Sequence, residues 1–304
     1  MINEYVNKLI ENLPDEIKKR DKPESIDLIL DGGLFNGSYL VGALYFLKEM
    51  EKRKYIKIER ISGCSIGSVV AFLYYIDALD EMPKLYDLVN NEFKNSYKLN
   101  TIKELKKHLI ERIPEDICKK VNGNLFISYY NIKKGTKKVK SVYKNIDDII
   151  HTIIRSSFVP YLIDGNILYE NKYMDGINPF IFKERDKKIL FLDLFGNDKL
   201  GCLINVRNEK TNYHRILSGL LDIHTFFIKQ SKTPMCSYVN EWTLSNQCFN
   251  YIKIIIEKFC VYLIKLVILL KNKIPDEFRE MVIYKILSKL TSDIFIIILE
   301  SYCL

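Results

Sequence analysis

The chain has 304 residues, 48% of them hydrophobic and 28% charged, which excludes a disordered chain and suits one large globular domain, or one with an appendage. Its formal net charge of +8 gathers in lysine runs at Lys106-Lys107, Lys119-Lys120, Lys133-Lys134 and Lys137-Lys138-Val139-Lys140; these read as solvated surface or as a face toward anionic lipid or nucleic acid, and no zinc-finger or RNA-reading motif supports nucleic acid. Seven scattered cysteines, with no CxxC pair and no signal peptide, read as free thiols in a reducing, cytoplasmic setting.

Helical spacing of Ile2, Val6, Leu9 and Ile10 predicts a helix over residues 1–20, stopped by Asp21-Lys22-Pro23. Ser25–Leu30 (SIDLIL) reads as a buried strand, DGGLFNG at 31–37 as a glycine turn, and Ser38–Glu51 as a helix that Ser38 can cap. The unit repeats with a strand at Ile56–Ile61, the turn GCSIG at 63–67 and an apolar helix at Ser68–Leu79. Two strand–turn–helix units in succession predict a parallel sheet covered on both faces. Right-handed crossovers then put both turns at one sheet edge, where open α/β sheets carry their sites.

Residues 82–120 read as helices, Asn124–Asn131 as a strand and Asn145–Arg155 as a helix ending before Pro160. Short strands with a turn at Asp164-Gly165-Asn166 are expected within Tyr161–Glu170, then a turn at Tyr173–Ile177 and a core strand at Lys188–Leu194. Beyond residue 210, isoleucine and leucine are interrupted by lysine. Residues 250–270 contain Lys253, Glu257, Lys258 and Lys265, and read as a packed or interfacial helix rather than a membrane span. Residues 294–299 (IFIIIL) read as a core segment or terminal strand. The expected fold class is α/β: a mostly parallel central sheet with helices on both faces and a helical C-terminal extension. The expected division is an N-terminal helix in 1–24, a main domain in 25–210 and a helical region in 211–304.

Gly63-Cys64-Ser65-Ile66-Gly67 fits G-x-S-x-G. Between a strand and a helix, that pattern can present a nucleophilic serine on a sharp turn, with Gly63 and Gly67 keeping the elbow open. It is equally an ordinary turn with a capping serine. The Gly32-Gly33-Leu34 turn offers N–H groups to an anion, or simply uses glycine for its dihedrals. It lacks the spacing of a dinucleotide fingerprint and the lysine of a P-loop. Ser65 needs a base. The histidines His108, His151, His214 and His224 are the usual candidates, with His214 and His224 in hydrolase order. The alternative base is Asp175, whose following glycine allows close approach and whose burial would raise its proton affinity.

Taken together, DGGLFNG, GCSIG and Asp175-Gly176-Ile177 resemble the patatin-like lipid acyl hydrolases. That family has a D-G-G-G-x-[RK]-G loop, a G-x-S-x-G elbow and a late D-G-[GA]. The segment IRSSFVP at 154–160 resembles the stretch before the aspartate, and the likeness spans roughly residues 25–200. It implies a Ser65–Asp175 dyad, an oxyanion hole from Gly32, Gly33 and Leu34, a phospholipid or other lipid ester substrate, peripheral membrane contact, and no cofactor or metal. The chain departs from the pattern at Leu34, Asn36 and Ile177, which keeps open a catalytically weak or inactive relative that binds lipid or protein.

Overall fold

The computed structural model describes residues 2–184, 187–196, 199, 201, 203, 205–206, 209–273 and 275, with single positions (281, 282, 286, 289, 290, 294, 297 and 301) beyond. The N-terminal stretch forms two helices, α1 (Ile2–Glu11) and α2 (Asp15–Lys18), rather than one to residue 20. Pro14 separates them, because proline has no N–H for the helical ladder. The two expected strand–turn–helix units follow as β1 (Glu24–Leu30) and α3 (Gly37–Lys52), then β2 (Ile56–Gly63) and α4 (Ile66–Tyr75). Ser38 is buried inside α3 and accepts the Asn212 side chain at 2.9 Å, so it is not the cap.

Residues 82–121 supply α5 (Met82–Ser96), α6 (Leu105–Leu109) and α7 (Ile117–Val121). Next come β3 (Leu125–Asn131), β4 (Thr136–Lys140), α8 (Ile146–Ser156), β5 (Tyr173–Asp175) and β6 (Lys188–Leu192). The C-terminal extension contains α9 (Tyr213–Lys229), β7 (Cys236–Tyr238) and α10 (Leu244–Lys273). Tyr161–Glu170 is not a pair of strands. The expected turn at Asp164-Gly165-Asn166 is there, but it takes the flanking residues with it: the Tyr161 N–H reaches forward to the Asn166 carbonyl and the Gly165 N–H back to that of Tyr161, with both Tyr161 and Gly165 in the left-handed region. A chain closed on itself in this way cannot extend, and one bridge, Tyr169 to Tyr173, remains. Most of 294–299 lies outside the described residues.

The sheet runs β4-β3-β2-β1-β6-β7, with β5 also paired to β3. Its centre, β3-β2-β1-β6, is parallel, while β4, β5 and β7 add antiparallel. The lysine run at 137–140 is edge strand β4. Charge along an edge discourages pairing with another chain. Strand β7 left no mark in the sequence, because a three-residue segment carries no readable alternation. The described cysteines 64, 118, 236, 248 and 260 are unpaired. No helix among the described residues is long and apolar enough to cross a membrane.

Helix α3 is buried almost all round, between the sheet and α9. Their backbones touch. A Cβ on Gly42 would lie 1.8 Å from the Ile216 carbonyl oxygen, and one on Gly219 1.9 Å from that of Tyr39. Backbone cannot step aside as a side-chain tip can. Gly42→Ala is therefore expected to destabilise the protein by about 3 kcal/mol, the upper end of overpacking costs. A lower denaturant midpoint at unchanged m-value would verify this, and an unshifted midpoint would refute the close crossing.

Candidate active site

Strand register brings the expected residues together. Leu30, the last residue of β1, pairs with Gly63 of β2 and with Leu192 of β6. All three strands end in one row, so Asp31, Cys64-Ser65 and Asp193 leave the sheet side by side. On β3, Ile127 pairs with Gly63 while Tyr129 pairs with Asp175. Strand β5 thus continues along β3 just past the end of β2, and Asp175 arrives where Ser65 turns away.

Ser65 has φ 50° and ψ −131°, a conformation that an L-residue holds only at a cost of about 1–3 kcal/mol. Three features enforce it. The Ser65 N–H donates to the Ser156 hydroxyl at 2.9 Å and to its carbonyl at 3.1 Å. Ser156 itself donates to the Ser128 carbonyl at 2.7 Å, which ties the elbow to β3. The glycines admit close backbone. A Cβ on Gly67 would meet the Leu30 and Asp31 carbonyls at 2.6 Å, and one on Gly63 the Gly67 carbonyl at 2.7 Å. Ser65 is 7% exposed and stands at the start of α4, where helix N–H groups and dipole favour negative charge.

Asp175 is also buried. Burial pushes its carboxyl from the ordinary 3.8 up to about 6, against the pull of the neighbouring Ser65 hydroxyl and the Ile177 N–H. That N–H donates to Asp175 Oδ1 at 2.7 Å. Ile177 makes the turn with φ 58°, so the departure from a small residue retains the left-handed backbone. The Asp175 N–H is held by the Phe158 carbonyl at 3.0 Å, so the SSFV segment braces both serine and aspartate.

The glycine turn lies against the elbow. A Cβ on Gly32 would sit 3.3 Å from the Ser65 Cβ. The Gly32 N–H, however, donates to Asp31 Oδ1 at 2.9 Å, which ties it up. The Phe35 and Asn36 N–H groups are bonded to Leu203 and Gly33 carbonyls. Among the described residues, the N–H groups of Gly33, Leu34 and Ile66 have no acceptor in the protein. Gly33 has φ 155° and Leu34 φ 46°, so the leucine keeps a backbone shape that suits glycine.

A cavity of about 90 Å³ opens beside Ser65, walled by Leu34, Phe35, Val69, Met82, Leu99 and their neighbours. Its lining is almost wholly apolar. None of the four histidines borders it. His151 bonds the Tyr169 hydroxyl at 2.8 Å, His214 lies 3.2 Å from Glu209, and His108 faces Glu104. His224 packs on Phe46, and burial lowers its proton affinity. Among the described residues, no group of three or more His, Cys, Asp or Glu could hold a metal ion.

Several supporting residues escaped sequence reading. Arg215 of α9 is fully buried and donates to Asn36 Oδ1 at 2.6 Å, with Glu209 as its ion partner. A guanidinium from 179 residues away thus stands beside the loop position where the resemblance expects a cation. Lys253 of α10 pairs with Asp31 at 2.8 Å and Asp193 at 2.9 Å. Burial raises the Asp31 carboxyl and Lys253 opposes that rise. Glu257, also buried, accepts from the Tyr130 hydroxyl at 2.5 Å and pairs with Lys137 at 3.0 Å, and the Asn178 amide donates to it. The only sequence signal was charge inside apolar runs.

The family profile described as patatin-like phospholipase matches residues 28–179, half of the chain. The chain is also similar to omega-hydroxyceramide transacylase of Homo sapiens, 26% identical over 147 residues, and to that of Mus musculus, 27% identical over 149 residues. Each match covers 46% of this chain, and 27% and 24% of those proteins respectively, so the chain aligns with about a quarter of these relatives' length.

Proposed function

This chain belongs to the patatin-like phospholipase family, and on that premise we propose that it is a serine lipid acyl hydrolase of the phospholipase A type. The observation that carries the proposal is Asp175, buried, raised to about 6 and set against Ser65. A carboxylate of that basicity can take the serine proton near neutral pH. As the Ser65 Oγ–acyl carbon bond forms, the hydroxyl proton passes to Asp175 and the carbonyl π pair moves onto oxygen. Collapse expels the alcohol, which takes the proton from Asp175, and leaves an acyl-enzyme. Water, deprotonated by Asp175, then releases the fatty acid.

The oxyanion would be held by the Gly33, Leu34 and Ile66 N–H groups rather than by Gly32, whose N–H is engaged. One such donor is worth about 3–4 kcal/mol in the transition state. The apolar cavity beside Ser65 would take the acyl chain. Residues 25–210 would form the catalytic unit and 211–304 the helical region packed on it.

A second reading has the acyl group pass to an alcohol instead of water. The transacylases to which the chain is similar favour it, and so do the burial of Ser65 and the apolar lining of the cavity beside it. The acyl-enzyme is common to both. Fluorophosphonate labelling and fatty-acid release from phospholipid vesicles, with and without an added long-chain alcohol, test the proposal. Labelling at Ser65 with acyl release is expected, and an acyl alcohol forming at the expense of fatty acid would favour transfer. Vesicle binding with neither labelling nor acyl loss would leave a binding module.

Leu34→Gly is expected to keep acyl release within about tenfold of wild type, because left-handed backbone costs glycine nothing. It should shift preference toward bulkier acyl chains, since the leucine is one wall of the cavity. Competition between linear and branched acyl esters measures the shift, and an unchanged ratio would place the acyl chain elsewhere.

A further inference from the structure

Helix α10 exposes more apolar surface than it buries. A helix resting on a protein normally turns its apolar stripe inward. Here the side facing the sheet carries Lys253 and Glu257, both bound into ion pairs, beside Val261, Ile264 and Ile268, which pack on the core. The opposite arc carries Tyr251, Ile252, Ile255, Phe259, Tyr262 and Leu266, all 40–64% exposed. At about 100° per residue these six fall within one sector of roughly 100° that holds no charge until Lys273, the last residue of the helix. Contiguous exposed apolar surface of this kind marks an interaction face rather than chance exposure.

The border of the arc says what covers it. Lys258 and Lys265 lie along one side of it, both exposed. Lys265 reaches the β3–β4 turn, where a Cβ on Gly135 would be 2.7 Å from its Nζ. That turn and strand add exposed Lys133, Lys134 and Lys138. An apolar arc edged by five lysines complements an anionic lipid surface, with the arc among acyl chains and the lysines at headgroups. A second copy fits less well, because pairing this face with itself would bring the lysine borders together.

We infer that α10 is an interfacial docking helix whose outer face seats on an anionic lipid surface while its inner face holds the site loops. Lys253 grips Asp31, which bonds the Gly32 N–H. Glu257 grips Asn178, three residues beyond Asp175. Docking thus sets the helix that holds the Asp31 and Asn178 loops against the lipid. This rests on the proposed lipid substrate, but binding can be measured without catalysis.

The test is co-sedimentation of the Ser65→Ala protein with vesicles of phosphatidylcholine, alone or with phosphatidylserine. Stronger binding to the phosphatidylserine vesicles, weakening with salt, is expected. Ile255→Glu with Phe259→Glu should lower binding at least tenfold on both vesicles. Lys133→Glu, Lys134→Glu and Lys138→Glu together should abolish the preference for phosphatidylserine and spare the rest. Wild-type-like binding by the Ile255/Phe259 variant would overturn the inference. So would a parent protein that sediments no more with vesicles than without, or one found as a dimer that this variant makes monomeric. Fatty-acid release by the Ser65 enzyme reads the catalytic proposal separately, so either can fail alone.

Discussion

Ser65→Ala should lower acyl release from phospholipid by about 10⁴-fold or more, since removing a nucleophile removes the covalent route and leaves only the oxyanion donors and binding. The fold should be untouched. The elbow is fixed by the Ser65 N–H on Ser156 and by the glycines, and none of these contacts uses the hydroxyl. Alanine will occupy the same backbone shape, so melting temperature should change little. Labelling by a fluorophosphonate should vanish with activity. Unaltered release by the alanine variant would remove Ser65 from the mechanism.

Asp175→Asn should also lower acyl release, by 10²–10⁴-fold, the usual worth of a general base. The wild-type kcat/KM should rise with pH through about 6, as Asp175 ionises, and then level off. Asparagine should erase that rise. Stability should move the other way. In the unfolded chain the carboxyl loses its proton near 3.8, in the folded protein near 6. Below pH 3.8 both states hold the proton and nothing is lost. Between the two values the unfolded state ionises first, so stability falls as pH rises. Above 6 a constant penalty remains, on the order of 3 kcal/mol for about two pH units. Asp175→Asn should recover on the order of 3 kcal/mol at pH 8 and almost nothing at pH 3.5. Denaturant titrations at both pH values decide it, and equal effects at the two would mean that Asp175 is not held at a raised value.

The repeated strand–turn–helix reading was sound because buried parallel strands and their crossover helices impose long, unambiguous apolar patterns. Elements that depend on contact were not legible. Strand β7 is three residues long, and β4 reads as a charged run because an edge strand buries little. In 161–170 the turn at Asp164-Gly165-Asn166 was legible but the short strands around it did not form, because the turn closes on Tyr161 itself. Ser38 looked like a cap and is instead buried against Asn212.

The sequence by itself determined the α/β class, the family, and the three turns in which Ser65, Asp175 and the glycine loop lie. Local patterns suffice for these, since each motif is a few consecutive residues with a strict backbone demand. Only the tertiary structure decided which groups flank them. It engaged the Gly32 N–H with Asp31, set Arg215 beside Asn36 from 179 positions away, and turned Lys253 and Glu257 of α10 inward while leaving Ile252, Ile255 and Phe259 exposed. Those outcomes depend on strand register and helix packing. Each is a small difference between desolvation and pairing energies, fixed by neighbours that lie far off in the chain.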